Sequence, residues 1–367
     1  MLGIYRLSIW GVLPYILVLF VLYVWSTKKN QKKALSYSFI LVFIFSSIRY
    51  GIGYDYYTYY FDVVNNLEHK EFLSTLFVRI SYYLNAPQLF FVINSFIALY
   101  PIYYVAKNEN IPYPQLIFFI YFLSPDYFLE SLGIVRNASA YSLVFLSSYF
   151  LLHGKNFKYI ICVILAGLIH NSGWIGLILI VFKYLHLNKT LSIILFILSF
   201  FIGEIFQTYL SQIFADGSSL IAMKIIGYIE NPREGGGLIK YVIIALNLVL
   251  FVYWDKLVAL DKKNLIYLNL ANVGTCLRLA LAFDHTLALR ISCYFMLFQI
   301  LIFPSLILVN KYFDRLTMKK ILTCFFVVYF ISGLLVPMIS YDGRNRMNAI
   351  PYQTIFNKKD YSNYVIY

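Results

Sequence analysis

Charged side chains are scarce in this sequence. Asp, Glu, Lys and Arg make up 13% of its 367 residues, whereas 61% are hydrophobic. A soluble protein of this length needs far more charge on its surface, so the composition excludes a soluble fold and indicates a polytopic membrane protein. The net charge is nevertheless +13. Because the cations are scattered between apolar stretches rather than gathered on one face, we exclude nucleic acid as a partner.

Cysteine pairs and the common cofactor motifs are also missing. The four cysteines lie in apolar stretches without a Cys-x-x-Cys pair, which argues against a disulfide framework and a zinc site. The chain has no Walker loop, no Asp-x-Asp and no cluster of metal ligands, so nothing points to ATP, nucleotide-sugar or zinc chemistry. We therefore predict no cofactor, although carboxylates on the outer side keep a divalent metal open.

Long apolar stretches dominate the rest of the chain. Ten of them are long enough to cross a bilayer, which predicts an all-α polytopic integral membrane protein. We expect a single transmembrane domain over residues 1–367, with outer-side loops at 50–86 and 207–237 that contribute to the site. The predicted spans are 7–26, 34–49, 87–106, 111–128, 133–152, 190–206, 238–254, 264–283, 287–309 and 320–339.

Residues 158–186 differ from these spans. Two apolar pieces of about 12–14 residues meet at His170-Asn171-Ser172-Gly173, and each is too short to span a membrane. Lysines flank both ends of the segment. The pattern predicts a broken, re-entrant helical hairpin that begins and ends on one side of the membrane.

The distribution of Lys and Arg predicts the orientation. The loops at 27–33, 107, 153–158, 183–189, 255–263 and 310–320 hold fifteen Lys and one Arg, and the positive-inside rule places them in the cytoplasm. The opposite side holds five Lys and nine of the ten Arg. Because topology needs only positive charge whereas Arg adds a planar fork for phosphate, this excess predicts a phosphate-binding outer cavity. Interfacial snorkelling is the alternative for each single arginine.

The segment that begins Arg49-Tyr50-Gly51-Ile52-Gly53-Tyr54-Asp55 follows the second span. Arg49 lies roughly 24 Å of helix beyond Lys33, slightly inside the far edge of the membrane, where a charge is costly and marks a pathway or a ligand contact. Asp55 is a candidate general base or hydroxyl-orienting carboxylate. The alternative is a salt bridge from Asp55 to Arg49 that orders the loop.

Further candidate residues lie at other predicted helix ends and at the break. Arg136 begins a span, where the helix N-terminus favours an anion. His170 is a candidate general base or phosphate donor, because non-helical backbone at membrane depth must be buried or line a wet cavity; packing is its alternative. Arg290 and Tyr294 are four residues apart and share a helix face, where Tyr294 either binds sugar or phosphate or simply packs. Arg278 also falls near an outer helix end.

Four of these motifs resemble, in the same order, those of EpsG-type polysaccharide polymerases, which are Wzy-like membrane enzymes that join lipid-linked sugar repeats. A Pro-Tyr at Pro351-Tyr352 matches more weakly, and the resemblance covers residues 45–352. The four are an Arg…Gly-x-Asp-x-x-x-Tyr signature at Arg49 with Tyr59 as its tyrosine, an Arg before small residues at Arg136, a His-x-Ser at His170, and an Arg-x-x-x-Tyr-Phe at Arg290.

The resemblance implies a function and a set of roles. It implies a GT-C-like glycosyltransferase in the bacterial cytoplasmic membrane, which transfers a growing glycan from undecaprenyl diphosphate to an incoming lipid-linked repeat at the outer, periplasmic face. Expected partners are this donor and acceptor, membrane lipid, a chain-length regulator and a flippase. Asp55 and His170 are the expected catalytic residues, and the expected substrate or diphosphate ligands are Arg49, Arg136, Arg278, Arg290, Tyr59 and Tyr294.

Three alternatives to this function stay open. A lipid-linked oligosaccharide flippase should show repeat symmetry and cations along its whole depth. An O-antigen-ligase-like enzyme would share the arginines but use another acceptor. An acyltransferase would have chemistry centred on histidine without a diphosphate clamp.

Overall fold

The fold is entirely helical in the part of the chain that the structure describes. The structure is a computed structural model that describes residues 9–213, 220–230, 237–339 and 349–357. These residues contain no β-strand, only an isolated bridge between Arg49 and Thr354, so the predicted all-α class is confirmed. The helices are α1 (Ile9–Ser26), α2 (Gln31–Ser47), α3 (Tyr56–Val64), α4 (Phe72–Tyr83), α5 (Gln88–Asn108), α6 (Leu116–Leu123), α7 (Phe128–Gly133), α8 (Val135–Leu152), α9 (Asn156–Ile169), α10 (Leu179–Tyr184), α11 (Lys189–Ile213), α12 (Leu220–Glu230), α13 (Gly237–Leu260), α14 (Asn264–Ala280), α15 (His285–Met296), α16 (Gln299–Ile302), α17 (Leu306–Val309) and α18 (Arg315–Ile339), with 3₁₀ helices at Asn171–Ile178 and Phe303–Ser305.

Several helices have the length and composition of membrane spans. Among the described residues, four helices qualify, and a fifth does if Lys189–Gly203 and Gln207–Ile213, bent by 54°, form one span. These helices support a multi-pass membrane protein, while the full count of ten spans stays a prediction. The four are Gln88–Asn108, Ile239–Leu260, His285–Val309 and Arg315–Leu334, and shorter apolar helices cover Gly11–Ser26, Asn156–Ile169 and Asn171–Tyr184.

The predicted span at 111–128 contains only the eight-residue helix α6. Ser124 follows it with φ −95° and ψ 105°, outside the helical region. Pro125 explains this conformation, because the proline ring disfavours a helical residue immediately before it. All eight residues of α6 are buried. This segment is therefore part of the protein interior and is too short to cross the membrane as one straight helix.

The chain divides into two compact units. The first comprises residues 1–177 and 320–367, and the second comprises residues 178–319. In the first unit, α5 packs against both α2 and α8, and α8 packs against α9. In the second unit, α14 packs against α11, α13 and α15. The expectation of a single transmembrane domain stays a prediction.

The helix break predicted at His170 is confirmed. The helix α9 ends at Ile169, and His170 is extended, with φ −152° and ψ 129°. The following 3₁₀ helix runs back along α9, since the Tyr159 hydroxyl donates to the Gly176 carbonyl at 2.8 Å. A Cβ on Gly173 would clash with the backbone of Ala166, so this close approach requires glycine. The re-entrant placement of the hairpin in the membrane stays a prediction.

Candidate functional site

Arg136 lies at the start of α8 in a cluster of polar side chains. Its Nη1 donates to Glu71 Oε2 at 2.7 Å and its Nε to the Tyr59 hydroxyl at 3.4 Å. Its guanidinium carbon also lies 5.5 Å from the centroid of the Tyr59 ring. The Arg136 side chain is 21% exposed, and its Nη2 has no hydrogen-bond partner among the described residues. Arg136 is thus anchored through two nitrogens, with a third available to a ligand.

Glu71 connects Arg136 to the helix break. This residue precedes α4 but forms no capping hydrogen bond there. Its Oε2 accepts from Arg136, and its Oε1 accepts from the backbone N–H of Asn171 at 3.3 Å. The sequence analysis did not single out Glu71, because an acidic residue at the start of a helix is most simply explained by its favourable interaction with the helix dipole.

His170 and Ser172 form the other side of this cluster. His170 Nδ1 lies 2.6 Å from Ser172 Oγ, which accepts from Asn137 Nδ2 at 2.9 Å. Asn137 is the neighbour of Arg136 on α8, so the break is fixed to the first turn of that helix. The structure therefore brings together three predicted site residues, Arg136, Tyr59 and His170. We call Tyr59, Glu71, Arg136, Asn137, His170 and Ser172 the Arg136 cluster.

Arg49 occupies a different environment in the same unit. Its side chain is almost fully buried, with 1% exposed. Its guanidinium donates to the Ser46 carbonyl, to the Leu132 carbonyl at 3.4 Å and to Ser95 Oγ at 3.4 Å. Arg49 forms no ion pair with any described residue. The alternative of a salt bridge to Asp55 is therefore not found.

A small cavity lies beside Arg49. Its volume is about 10 Å³, close to the smallest that holds one water molecule. The buried Nε of Arg49 has no hydrogen-bond partner in the described structure. A phosphate group is several times larger than one water, so Arg49 meets such a ligand only after this region opens. Polar groups line much of the cavity: Ser46, Arg49, Asn94, Ser95 and Ser131.

The backbone after Arg49 requires glycine. Gly53 has φ +100°, and a Cβ there would clash with the Leu132 carbonyl oxygen. That same carbonyl accepts a hydrogen bond from Arg49. The glycines of the first motif thus allow a tight contact between this loop and the end of α7, as their conformational freedom predicts. Asp55 then stands at the N-cap position of α3 without a capping hydrogen bond.

The segment 349–357 pairs with the backbone around Arg49. The Tyr50 N–H donates to the Gln353 carbonyl at 2.9 Å, and the Ile355 N–H donates to the Ile48 carbonyl at 3.0 Å. Tyr352, of the weakly matching Pro-Tyr, stacks on Phe45 with ring centroids 4.0 Å apart. This motif therefore has a packing role beside the first motif.

The tyrosines after Asp55 mostly pack inside the first unit. Tyr56 is fully buried and stacks on Phe91 at a centroid distance of 4.2 Å. Tyr59 lies in the same core cluster as Tyr56, Phe90 and Phe91. Within this run, Tyr59 contacts a predicted site arginine from this core.

The remaining predicted site residues lie in the second unit. Arg290 Nη1 donates to the Tyr228 hydroxyl at 3.2 Å. Arg278 Nη1 donates to the His285 carbonyl at 3.2 Å. Tyr294 is fully buried, which favours packing over direct contact with sugar. A clamp that uses all four arginines stays a prediction. The described residues contain no group of three His, Cys, Asp or Glu that can hold a metal ion.

Comparison with known proteins gives one match. A family model described as the EpsG family matches residues 32–354, which is most of the chain. No curated protein and no solved structure matches. The matched range includes all residues of the Arg136 cluster and all candidate residues of the second unit.

Proposed function

Because this chain belongs to the EpsG family, we propose that it is a membrane glycosyltransferase that polymerises lipid-linked sugar repeats. The family supports a polysaccharide polymerase-like role, and the apolar helices support a multi-pass membrane protein. We place it in the bacterial cytoplasmic membrane, with a GT-C-like arrangement of ten spans and the site on the outer face. The donor is a glycan on undecaprenyl diphosphate, and the acceptor is an incoming lipid-linked repeat.

The Arg136 cluster is the observation that carries this proposal. A guanidinium lies at the N-terminus of α8, where the helix dipole adds to its attraction for an anion. During transfer, the acceptor oxygen bonds to the anomeric carbon while the bond from that carbon to the diphosphate breaks. Negative charge then grows on the departing lipid diphosphate, and a guanidinium held in place stabilises it without reorganising.

The acceptor hydroxyl must lose a proton to a base during this step. His170 is positioned by its contact with Ser172 and lies in the same cluster as Arg136. Asp55, at the start of α3, is the second candidate. Arg278 and Arg290 are further proposed contacts to substrate, and Arg49 becomes one when the region around it opens. Tyr294 is fully buried, so we propose that it packs rather than binds sugar.

Activation and partners follow from the same chemistry. Cleavage of the bond between the anomeric carbon and the diphosphate drives the transfer, so the proposal includes no cofactor and no ATP. A flippase must deliver the repeats to the outer face, and a chain-length regulator is a further proposed partner.

Polymerisation by the purified protein tests the proposal. Full-length protein in lipid vesicles receives lipid-linked repeats of the host, without ATP or nucleotide sugars. We expect dimers and longer products, which the Arg136→Ala variant does not form. Arg79→Ala is the matched control, because Arg79 pairs with Glu68 on the exposed surface. Repeats that cross the vesicle membrane without being joined would contradict the polymerase and favour the flippase.

Single-cysteine labelling tests the proposed orientation. The exposed side chains Thr58 and Lys262 suit this test, after the exposed native Cys324 has been replaced. In intact cells, a membrane-impermeant maleimide should label Thr58→Cys but reach Lys262→Cys only after the membrane is opened. The reverse pattern would place the Arg136 cluster on the cytoplasmic side and remove the outer site.

A further inference from the structure

Glu71 is a nearly buried carboxylate that accepts hydrogen bonds from two distant elements. Its side chain is 8% exposed. One oxygen accepts from Arg136 on α8 and the other from the N–H of Asn171 at the helix break. Removing a carboxylate from water is costly and is compensated only by close, specific partners. The ion pair between Glu68 and Arg79 in the same segment is different, because its side chains are 67% and 50% exposed.

These contacts decide how the Arg136 guanidinium is presented. Glu71 holds Nη1, and Tyr59 holds Nε. The guanidinium group is planar and rigid, so fixing two of its nitrogens also fixes the direction of Nη2. The second oxygen of Glu71 fixes the helix break, and therefore the backbone next to His170, relative to the same group.

We propose that Glu71 is the positioning residue of the anion site at Arg136. It orients the guanidinium so that Nη2 meets a phosphate oxygen, and it keeps His170 at a set distance from that phosphate. The ligand class is a diphosphate; this identification rests on the proposed function, whereas the positioning role rests on the contacts of Glu71 alone. Glu71 acts through Arg136 and does not itself touch the substrate.

The direction in which the affinity for an anion changes tests the positioning role. The probe is inorganic pyrophosphate, added to purified full-length protein, and the affinity is measured by calorimetry. Removing a negative charge beside an anion site should by itself tighten binding. Positioning predicts the opposite, namely that Glu71→Ala weakens pyrophosphate binding by about tenfold, because Nη2 is no longer held in place.

Matched variants complete the binding experiment. Arg136→Ala should abolish pyrophosphate binding, and Glu68→Ala should leave it unchanged. Glu71→Asp keeps both oxygens on a shorter side chain and should lie between the wild type and Glu71→Ala. If Glu71→Ala does not fold, Glu71→Gln replaces it, since one amide oxygen serves only one of the two donors. Affinity equal to or tighter than the wild type in the variant that folds overturns the proposal.

Turnover separates positioning from acid–base chemistry. We expect Glu71→Ala to lower kcat by between about 10- and 100-fold, with an unchanged shape of the pH profile. In an Arg136→Lys background the same substitution should have a much smaller effect, because Glu71 acts through Arg136. Positioning would be overturned if Glu71→Ala lowered kcat by the same factor in the Arg136→Lys background as in the wild type. It would also be overturned if one limb of the pH profile were lost, since Glu71 would then be a proton-transfer group.

The two measurements distinguish the failure of this inference from the failure of the proposed function. Pyrophosphate binding with the expected order of variants, but no polymer from the wild type, would reject the polymerase and keep the role of Glu71. Normal polymer from the wild type, with full binding and turnover in Glu71→Ala, would keep the polymerase and reject the role of Glu71.

Discussion

The two compact units use buried charge in different ways. In the first unit, Arg136 contacts Glu71 across 65 residues of sequence, and Arg49 contacts the Leu132 carbonyl across 83. In the second unit, buried Arg278 bonds to a carbonyl seven residues away, and Asp284 caps α15 three residues away. Local bonds of this kind complete helix ends. Charged groups that tie distant segments together are costly near a membrane and point to a functional site.

Neutral side chains form several long-range polar contacts in the interior of the second unit. Asn272 on α14 accepts from Asn247 on α13 at 2.9 Å and donates to the Ser192 carbonyl on α11 at 3.0 Å. Such amide contacts hold helices together at a small cost in desolvation. The first unit thus presents a candidate site, whereas this interior of the second unit presents a scaffold. Arg290 is the exception in the second unit, since it contacts Tyr228 across 62 residues.

The largest expected effect is the loss of activity when Arg136 is removed. Arg136→Ala should lower polymer synthesis by about 100-fold or more, the range seen when one preorganised group that stabilises transition-state charge is lost. Arg136→Lys should rescue poorly, because an ammonium cannot keep the contacts to Glu71 and Tyr59 and also offer a planar fork. Product formation per mole of folded protein is the measurement.

Two control variants sharpen this first prediction. Arg79→Ala changes an exposed arginine of the same unit and should keep full activity. Arg278→Ala should cost less activity than Arg136→Ala, because the bond to the His285 carbonyl lies within the turn between α14 and α15, whereas the bond from Arg136 to Glu71 joins two distant segments. Equal losses from all three substitutions would break the comparison between the two units.

The second expected effect is the loss of stability when Arg49 is truncated. Arg49→Ala leaves the Ser46 and Leu132 carbonyls without their donor and opens a void. Together these should cost about 3 kcal/mol or more. Arg49→Met keeps the volume and removes the buried charge, so it should unfold at an intermediate temperature. Thermal unfolding of the purified protein in detergent measures both variants, and wild-type stability in Arg49→Ala would contradict the role of these contacts.

Local features of the candidate site were predictable from sequence. The break at His170 follows from two apolar pieces that are each too short to span, and the structure shows that residue as extended. Gly53 follows a buried arginine and adopts the positive φ that glycine allows. The motifs at Arg136 and Tyr59 were identified separately by resemblance, and the structure brings these side chains together. Short-range preferences and membrane length limits explain these successes.

Long-range contacts were not predictable in the same way. Glu71 meets Arg136 only because α4 and α8 begin side by side, which no local pattern in the sequence encodes. The sequence left open whether Tyr294 binds substrate or packs, and only the structure shows that this side chain is fully buried. The periodicity of apolar residues predicts which face of a helix is apolar, but it does not predict which other segment packs on that face. The sequence analysis predicted one long span at 111–128 because the segment is apolar, and it did not allow for the end of α6 before the proline.

A smaller effect is expected in the amide contacts of the second unit. Asn272→Ala leaves Asn247 without its partner and should cost about 1 kcal/mol of stability. Replacing both Asn247 and Asn272 by Leu should cost less than the sum of the two single changes, since no polar group of the pair is then left unpaired. Activity per folded molecule should stay near the wild-type level in each variant. A loss of activity without a loss of stability would show that this region belongs to the functional site rather than to the scaffold.

The smallest expected effect is a pH dependence of stability from His69, which lies between α3 and α4. Burial, followed by the nearby Arg136 charge, lowers the pKa of His69 below its usual 6.5, although Asp62 and Glu71 oppose the shift. His69 Nε2 lies 3.0 Å from Asp62 Oδ2, and its Nδ1 lies 3.0 Å from Ser74 Oγ. An ionised Asp62 can only accept, so the neutral ring donates from Nε2 and accepts from Ser74 at Nδ1.

The sign of this pH dependence follows from whether the folded or the unfolded chain protonates His69 at the higher pH. Above pH 6.5 the histidine is neutral in both the folded and the unfolded chain, so it adds no pH dependence. As the pH falls below 6.5, the unfolded chain takes up the proton while folded His69 does not. Stability therefore falls, by at most about 1.4 kcal/mol per pH unit, until the pH passes the folded pKa. His69→Gln should flatten this slope, because the glutamine side chain takes up no proton in this range. Unfolding temperatures between pH 5 and 8 measure the slope, and an unchanged slope in His69→Gln would show that the protons are taken up elsewhere.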